Sequence, residues 1–397
     1  MLIDRYENNS ERTMPFYATM SGAVRSNGVN PPFSSPASVS FVAMGAQFGV
    51  FNVAAVTGAA SYTVNIYYNS TRSTTGGTLA RTVTSSSNSN IATVSLGGNG
   101  EIFYGNPNYY YLTATSTSAG GSVSLPVTSS QICTFYSYSG SASTWTAPAT
   151  VTATISLSGG GGTDGTGGNG GMMVCSYAVT NGTSYTISVG GPGRDPGTSF
   201  GAGGVTGGSG TYSGGSMSQF DTVMYAGGGG ASGNGNQGSV GNGGNGGTLG
   251  LNGSGGVGQD GFSGSRSTTT GAGGKGATQS ANGRGGAGGG AGTAGTAGSG
   301  TAGYGQGGNG GDGNGGGGGG GAGYFAGGGG GGCTGGTYAA GGGGGGSSYT
   351  TETVLNVLDF TAGVYAGSSS TAAPFNGLVR GLAYGQSAGG GACAIVW

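Results

Sequence analysis

Between residues 201 and 350 the chain carries 70 glycines, no proline and only six charged side chains, Asp221, Asp260, Arg266, Lys275, Arg284 and Asp312. Glycine has no side chain to bury, and ordering it costs more backbone entropy than ordering any other residue. Such a tract cannot build an apolar core. If it folds, its backbone amides must bond to one another, because buried N–H and C=O groups need partners. An extended left-handed threefold helix of the polyproline II kind, rising about 3.1 Å per residue, makes no hydrogen bonds within itself and offers them all to neighbours. Only glycine lets backbones approach from several sides at once. The expectation is a bundle of polyglycine II helices over 201–350, about ten rods joined by turns. Ala, Ser, Thr and Asn would face outward or mark turns, and Tyr225, Phe262, Tyr304, Tyr324, Phe325 and Tyr338 would cap or cover the bundle. Disordered segments combine low hydrophobicity with high net charge or proline, and collagen needs glycine at every third position with abundant proline. The tract fits neither.

The text on either side is different. Residues 1–36 mix polar residues with Pro15, Pro31, Pro32 and Pro36 and show no periodicity, which reads as an extended arm. From 37 to 130 come short β-branched and aromatic runs divided by turn residues: SVSFVAM, FGVFNVA, SYTVNIYY, LARTVTS, NIATVSL, YYYLTATS and SVSLPVTS. Seven such runs in this length predict an all-β sandwich of the immunoglobulin type. Strand-like runs return over 131–200 around Trp145 and Pro148, and over 351–397, where the chain closes on ACAIVW. The expected class is all-β plus polyglycine II, with β-strands framing the glycine-rich bundle.

Two resemblances follow from particular segments. GAASYTVNIYYN (Gly58 to Asn69) and YYYLTATSTSAGGSVSLPV (Tyr109 to Val127) resemble a fibronectin type III module, although the tryptophan usual near that family's second strand is absent. CTFYSYSGSASTWTAPATVTATISLSGGGG (Cys133 to Gly162), TSYTISVGGPG (Thr183 to Gly193), TVMYAGGGG (Thr222 to Gly230), GAGYFAGGGGGG (Gly321 to Gly332) and GGGGGGSSY (Gly341 to Tyr349) form a second pattern. It resembles the glycine-rich domain of viral and bacterial surface proteins and of the anaplastic lymphoma kinase and leukocyte tyrosine kinase receptors. That resemblance implies a surface-displayed binding or structural protein. It makes the aromatic loop residues Tyr304, Tyr324, Phe325 and Tyr338 candidates for recognition, although covering the bundle is the favoured role for them.

The remaining residues narrow the chemistry. Histidine is absent, so Ser-His-Asp and Cys-His catalysis are excluded, and no spacing pairs two carboxylates; an enzyme is not expected. Cys133, Cys175, Cys333 and Cys393 are widely spaced without a CxxC pair, which excludes zinc and leaves disulfides or small buried thiols. GxGxxG matches in the tract follow from composition, and GGNGGDGN (Gly307 to Asn314) lacks the tandem copies of a calcium repeat. No metal or cofactor is expected. Ten basic against eleven acidic residues leave no cationic surface for nucleic acid. The mixed-charge start and the lack of a long apolar run argue against a secretory leader and against membrane insertion. The expected function is therefore a spike, fibre or minor capsid component of a virion. Its arm would bind other virion proteins, its displayed face a host surface glycan or protein, and self-association would be open to it. A secreted or cell-surface glycine-rich coat protein, extracellular instead of virion-borne, is the alternative.

Overall fold

The structure, a computed structural model, describes residues 33–45, 48–94, 103–105, 107–163, 167–193, 203–204, 207, 213–233, 241–244, 246–247, 256–264, 270–334, 339–355 and 390–397. The arm expected over 1–36 falls outside these, apart from 33–36. The described residues form β-strands and no α-helix. In chain order the strands are β1 (Val39–Gly45), β2 (Phe48–Val53), β3 (Ala59–Asn69), β4 (Thr78–Ser85), β5 (Ile91–Val94), β6 (Asn108–Ser118), β7 (Val127–Thr128), β8 (Cys133–Ser137), β9 (Ser143–Thr146) and β10 (Val151–Ser158). They continue with β11 (Met172–Val179), β12 (Ser184–Ser188), β13 (Ser218–Phe220), β14 (Met224–Ala226), β15 (Ser299–Thr301), β16 (Tyr304–Gln306), β17 (Tyr349–Thr350), β18 (Thr353–Val354) and β19 (Ala392–Val396).

A nine-stranded antiparallel sheet is the backbone of the molecule, in the order β18-β11-β10-β19-β8-β6-β3-β4 with β7 added beside β6. It runs without a break across residue 130, where the sequence divides two expected units. Strand alternation explains how it is covered. On β3, Tyr62, Val64 and Ile66 point inward, and on β6, Tyr110, Leu112 and Ala114 do; they meet Val39, Phe41, Phe51 and Ile91 of a three-stranded sheet, β1-β2-β5. The other face is buried at the opposite end of the sheet. There Ile155, Leu157, Met173 and Cys175 meet Trp145, Tyr185, Ile187 and Phe220 of a five-stranded sheet, β17-β14-β13-β12-β9. Strands β8 and β19 serve both cores. Ala392, Ala394 and Val396 enter the first, Cys393 and Ile395 the second. A strand buried on both faces loses its polar alternation, which is why ACAIV is an unbroken apolar run.

One expected strand is cut short. SVSLPVTS contributes single bridges at Val123 and Ser124 and then only β7. Pro126 has no N–H to give to a ladder, and the run breaks around it. MMVCSYAV forms β11, a strand not among the runs expected from the sequence.

The described glycine-rich residues form rods whose amides bond to neighbouring segments, apart from turns such as the one closed by the Gly292 N–H on the Gly289 carbonyl. Rod 326–333 shows the pattern. Its N–H groups donate in three directions: Gly327 and Gly330 to Gly321 and Gly318, Gly328 and Gly331 to Lys275 and Ala272, Gly329 and Gly332 to Thr296 and Thr293. Its carbonyls accept from three further rods: Ala326, Gly329 and Gly332 from Gly283, Gly286 and Gly289; Gly327 and Gly330 from Gly308 and Gly311; Gly328 and Gly331 from Gly344 and Gly341. All these bonds are 2.8–3.0 Å long. Direction repeats every third residue, and the rod has six bonded neighbours. A β-strand, with period two, bonds only two. Rods 159–163 and 167–171 join the same array through Gly160 and Gly168, so the array begins before residue 201.

Candidate recognition surface

One end of the rods is continuous with the sheets. β10 passes from Ser158 into rod 159–163, β14 from Ala226 into rod 227–233, and rod 341–346 leaves through Ser347 and Ser348 into β17. An aromatic group closes that end. Tyr324 stacks on Tyr349 with ring centres 4.1 Å apart and planes 18° from parallel. It also meets Tyr225 at 5.2 Å and Phe325 edge-on at 5.3 Å. Met217, Tyr225 and Ala322 are buried beneath. The Ser347 hydroxyl accepts the Phe325 N–H at 2.9 Å and the Ser347 carbonyl accepts that of Tyr324, so the aromatic pair is fixed by backbone and not by packing alone.

The β15–β16 hairpin lies against this group. Its Gly303 takes φ +78°, and a Cβ there would stand 3.2 Å from the Tyr225 hydroxyl, so glycine answers both a turn and a close approach. The Gly303 N–H donates to the Tyr324 carbonyl at 2.9 Å. Asn282 ties the hairpin to the rods: its Nδ2 donates to the Gly300 carbonyl, and its Oδ1 accepts the Ala326 N–H. Tyr304 projects from the hairpin and is 46% exposed.

Of the four residues singled out in sequence, the structure thus brings Tyr304, Tyr324 and Phe325 to one end of the rods, beside the sheets. Tyr338 lies outside the described residues. Tyr225, expected as a cover and not as a recognition residue, is buried in the same group. Tyr349 was not singled out, although it flanks a glycine run, GGGGGGSSY, and a residue that ends a rod must sit at an end of the array. Phe262, expected as a cover, is 47% exposed. Burial first, and then Tyr349, push the Tyr324 phenol above its ordinary value. Burial, Tyr324 and Asp221 do the same for Tyr225. These phenols stay neutral near physiological pH, which suits stacking and hydrogen-bond donation better than proton transfer.

The four cysteines are free and buried. Burial pushes the Cys175 thiol up to about 12, with Glu352 adding to it, and raises Cys133 and Cys393 as well. The reactive thiolate is therefore scarce in the folded chain. A thiol-reactive dye at pH 8 is expected to label the native protein very slowly and to find four thiols after denaturation; rapid native labelling would contradict this burial. Among the described residues no group of three or more Cys, Asp or Glu could hold a metal ion, and no helix is long and apolar enough to cross a membrane. Against known proteins, no family model matches this chain, and neither the curated proteins nor the solved structures contain a match to it.

Proposed function

We propose that the chain is a non-enzymatic structural protein of a virion surface, a spike, fibre or minor capsid component displayed for host attachment. In this reading a polyglycine II lattice stands on an immunoglobulin-like sandwich. The observation that carries it is the six-neighbour, three-residue repeat of rod 326–333, the bonding expected of polyglycine II and of no β-sheet. The core shared by the three-stranded and nine-stranded sheets supports the sandwich.

Such a lattice suits display because its interior is backbone. On rod 283–289, Gly283, Gly286 and Gly289 are buried while Arg284 and Ala287 are exposed, so this outer rod offers an open position about every 9 Å. Those positions can change without touching the interior. The Tyr304 hairpin adds an aromatic contact point of the kind that interfaces favour. The arm over 1–36 is assigned to contact with other virion proteins, and the displayed face to a host surface glycan or protein.

Purification tests the reading. The protein should copurify with particles at fixed stoichiometry, and antibodies against the 299–306 hairpin should reduce attachment. Recovery only as a free chain or in a cell envelope fraction would reject the virion assignment.

A further inference from the structure

The aromatic face beside β9 has no role in that reading. On β6, Tyr110, Leu112 and Ala114 enter the first core, so Tyr109 and Tyr111 project from the opposite face of the sheet. Tyr67 of β3 projects with them and stacks on Tyr111, ring centres 5.2 Å apart and planes at 13°. The five-stranded sheet covers this face only as far as its edge strand, β9. Trp397 lies at that margin, its Nε1 donating to the Thr134 hydroxyl at 3.0 Å. Tyr111 is itself buried, its hydroxyl accepting the Gly77 N–H at 3.2 Å from the loop after β3, so the rings that stay half-buried at this margin are Tyr67, Tyr109 and Trp397, beside the β9 edge.

Arg72 stands at this margin. Its side chain is exposed, and its guanidinium carbon lies 5.8 Å from the centre of the Tyr109 ring and 5.7 Å from that of Trp397. One Nη donates to the Thr146 carbonyl of β9 at 3.1 Å. A guanidinium has five N–H donors, and among the described residues this one forms no ion pair. The one ion pair among the described residues is Lys275 with Asp260. In a chain with 5% charged residues, a cation flanked by two rings and outside any ion pair among the described residues stands out.

We propose that this margin binds a carboxylate-bearing saccharide, with Arg72 as the anion contact and Tyr109 and Trp397 as stacking surfaces. The guanidinium, tied by one Nη to the Thr146 carbonyl, keeps further N–H donors in a planar fork whose geometry suits a carboxylate. Aromatic faces take the C–H face of a pyranose ring. The same sheet face continues into hydroxyl and amide groups, where Thr63 bonds Thr84 and Thr82 donates to Asn65, and these can exchange hydrogen bonds with sugar hydroxyls. An acidic peptide could also reach Arg72 and the β9 edge, but the hydroxyl and amide groups of this face match the many hydroxyls of a saccharide better. The site is remote in sequence from the Tyr304 hairpin, and the inference holds wherever the chain is displayed.

Saturation-transfer NMR on the full chain tests it, with sialyllactose, a glucuronate disaccharide, lactose and a tetraglutamate peptide as probes. Transfer is expected for the two acidic sugars, strongest on the ring bearing the carboxylate, and weak or absent for lactose. Arg72→Gln should weaken acidic-sugar binding about tenfold or more, the loss of a charge-assisted pair. Arg72→Lys, which keeps the charge without the fork, should fall between, and Tyr109→Ala should weaken both acidic sugars. Arg72 is exposed, so Arg72→Gln should melt within about 2 °C of the parent and the comparison stays interpretable. The proposal is overturned if neither acidic sugar binds at millimolar concentration, if Arg72→Gln binds them unchanged, or if tetraglutamate alone binds in an Arg72-dependent way.

Discussion

Replacing Gly330 by alanine is expected to unfold the glycine-rich array, at a cost of about 5 kcal/mol or more, although the change adds one methyl group. Gly330 donates to Gly318 and accepts from Gly311, both at 2.8 Å. Its backbone does not enter the left-handed region. What demands glycine there is space: a Cβ would overlap the carbonyl of Gly341 and press on that of Gly342. Those atoms cannot swing aside as a side chain could. Rod 341–346 is itself bonded on all sides, donating to Gly331, Gly328, Phe262, Gln259, Ala231 and Gly228 and accepting from Gly318, Gly321, Gly274, Ala277, Gly244 and Gly247. Moving it by an ångström weakens several of these together, and each buried group left unpaired costs about 1–3 kcal/mol. At an unstrained position Gly→Ala stabilises by about 0.4–1 kcal/mol through the unfolded chain, so even the sign of the effect is diagnostic. Ala287→Ser, at an exposed position of rod 283–289, is the control and should change stability by less than about 0.5 kcal/mol. Thermal unfolding together with exchange of the Gly327–Gly332 amides would decide it. A Gly330→Ala protein melting within about 3 °C of the parent would show that rod 341–346 does not press on Gly330 closely enough to exclude a methyl group.

That glycine rods bond to their neighbours was legible in the sequence because composition leaves the tract little else to do: without side chains, the only groups able to hold it together are amides. β3 and β6 were legible for the opposite reason, since SYTVNIYY and YYYLTATS alternate as half-buried strands do. Pairing across long stretches of chain was not. β19 sits between β8 and β10, and the Ala392 N–H reaches the Ser158 hydroxyl 234 residues away. Nothing local in ACAIVW names those partners; they depend on where the chain returns after the rods have been laid down. The aromatic cluster is similar. Tyr324 could be named as a candidate, yet its stacking partner Tyr349 is chosen by the lengths of rods 326–333 and 341–346. Arg72, between Tyr109 and Trp397, carries no motif, because its environment is assembled from the loop after β3, from β6 and from the residue after β19.

Strand β19 also carries the second large expected effect. Ile395 is fully buried, pairs with Ile155 on one side and Thr134 on the other, and lies in the core formed with the five-stranded sheet. Ile395→Val removes one methylene and should cost about 0.5–1.5 kcal/mol, and Ile395→Ala about 2–5 kcal/mol. Ile395→Asp should be worse than either, because an unpaired carboxylate in that core must be desolvated or protonated. Its folded pKa would rise above the unfolded value of about 3.9. A raised pKa gives a contribution that is complete below the unfolded value and lost as pH climbs through the folded one. The deficit of Ile395→Asp against the parent should therefore be larger at pH 7 than at pH 4, while that of Ile395→Ala should be nearly flat. Neighbouring residues of β19 enter the other core, so damage at 395 should not stay local. Amides of Ile155 in the second core and of Val64 in the first should lose exchange protection together. Full protection at Val64 alongside an open Ile155 would mean that the nine-stranded sheet, though continuous in its hydrogen bonds, unfolds as two units.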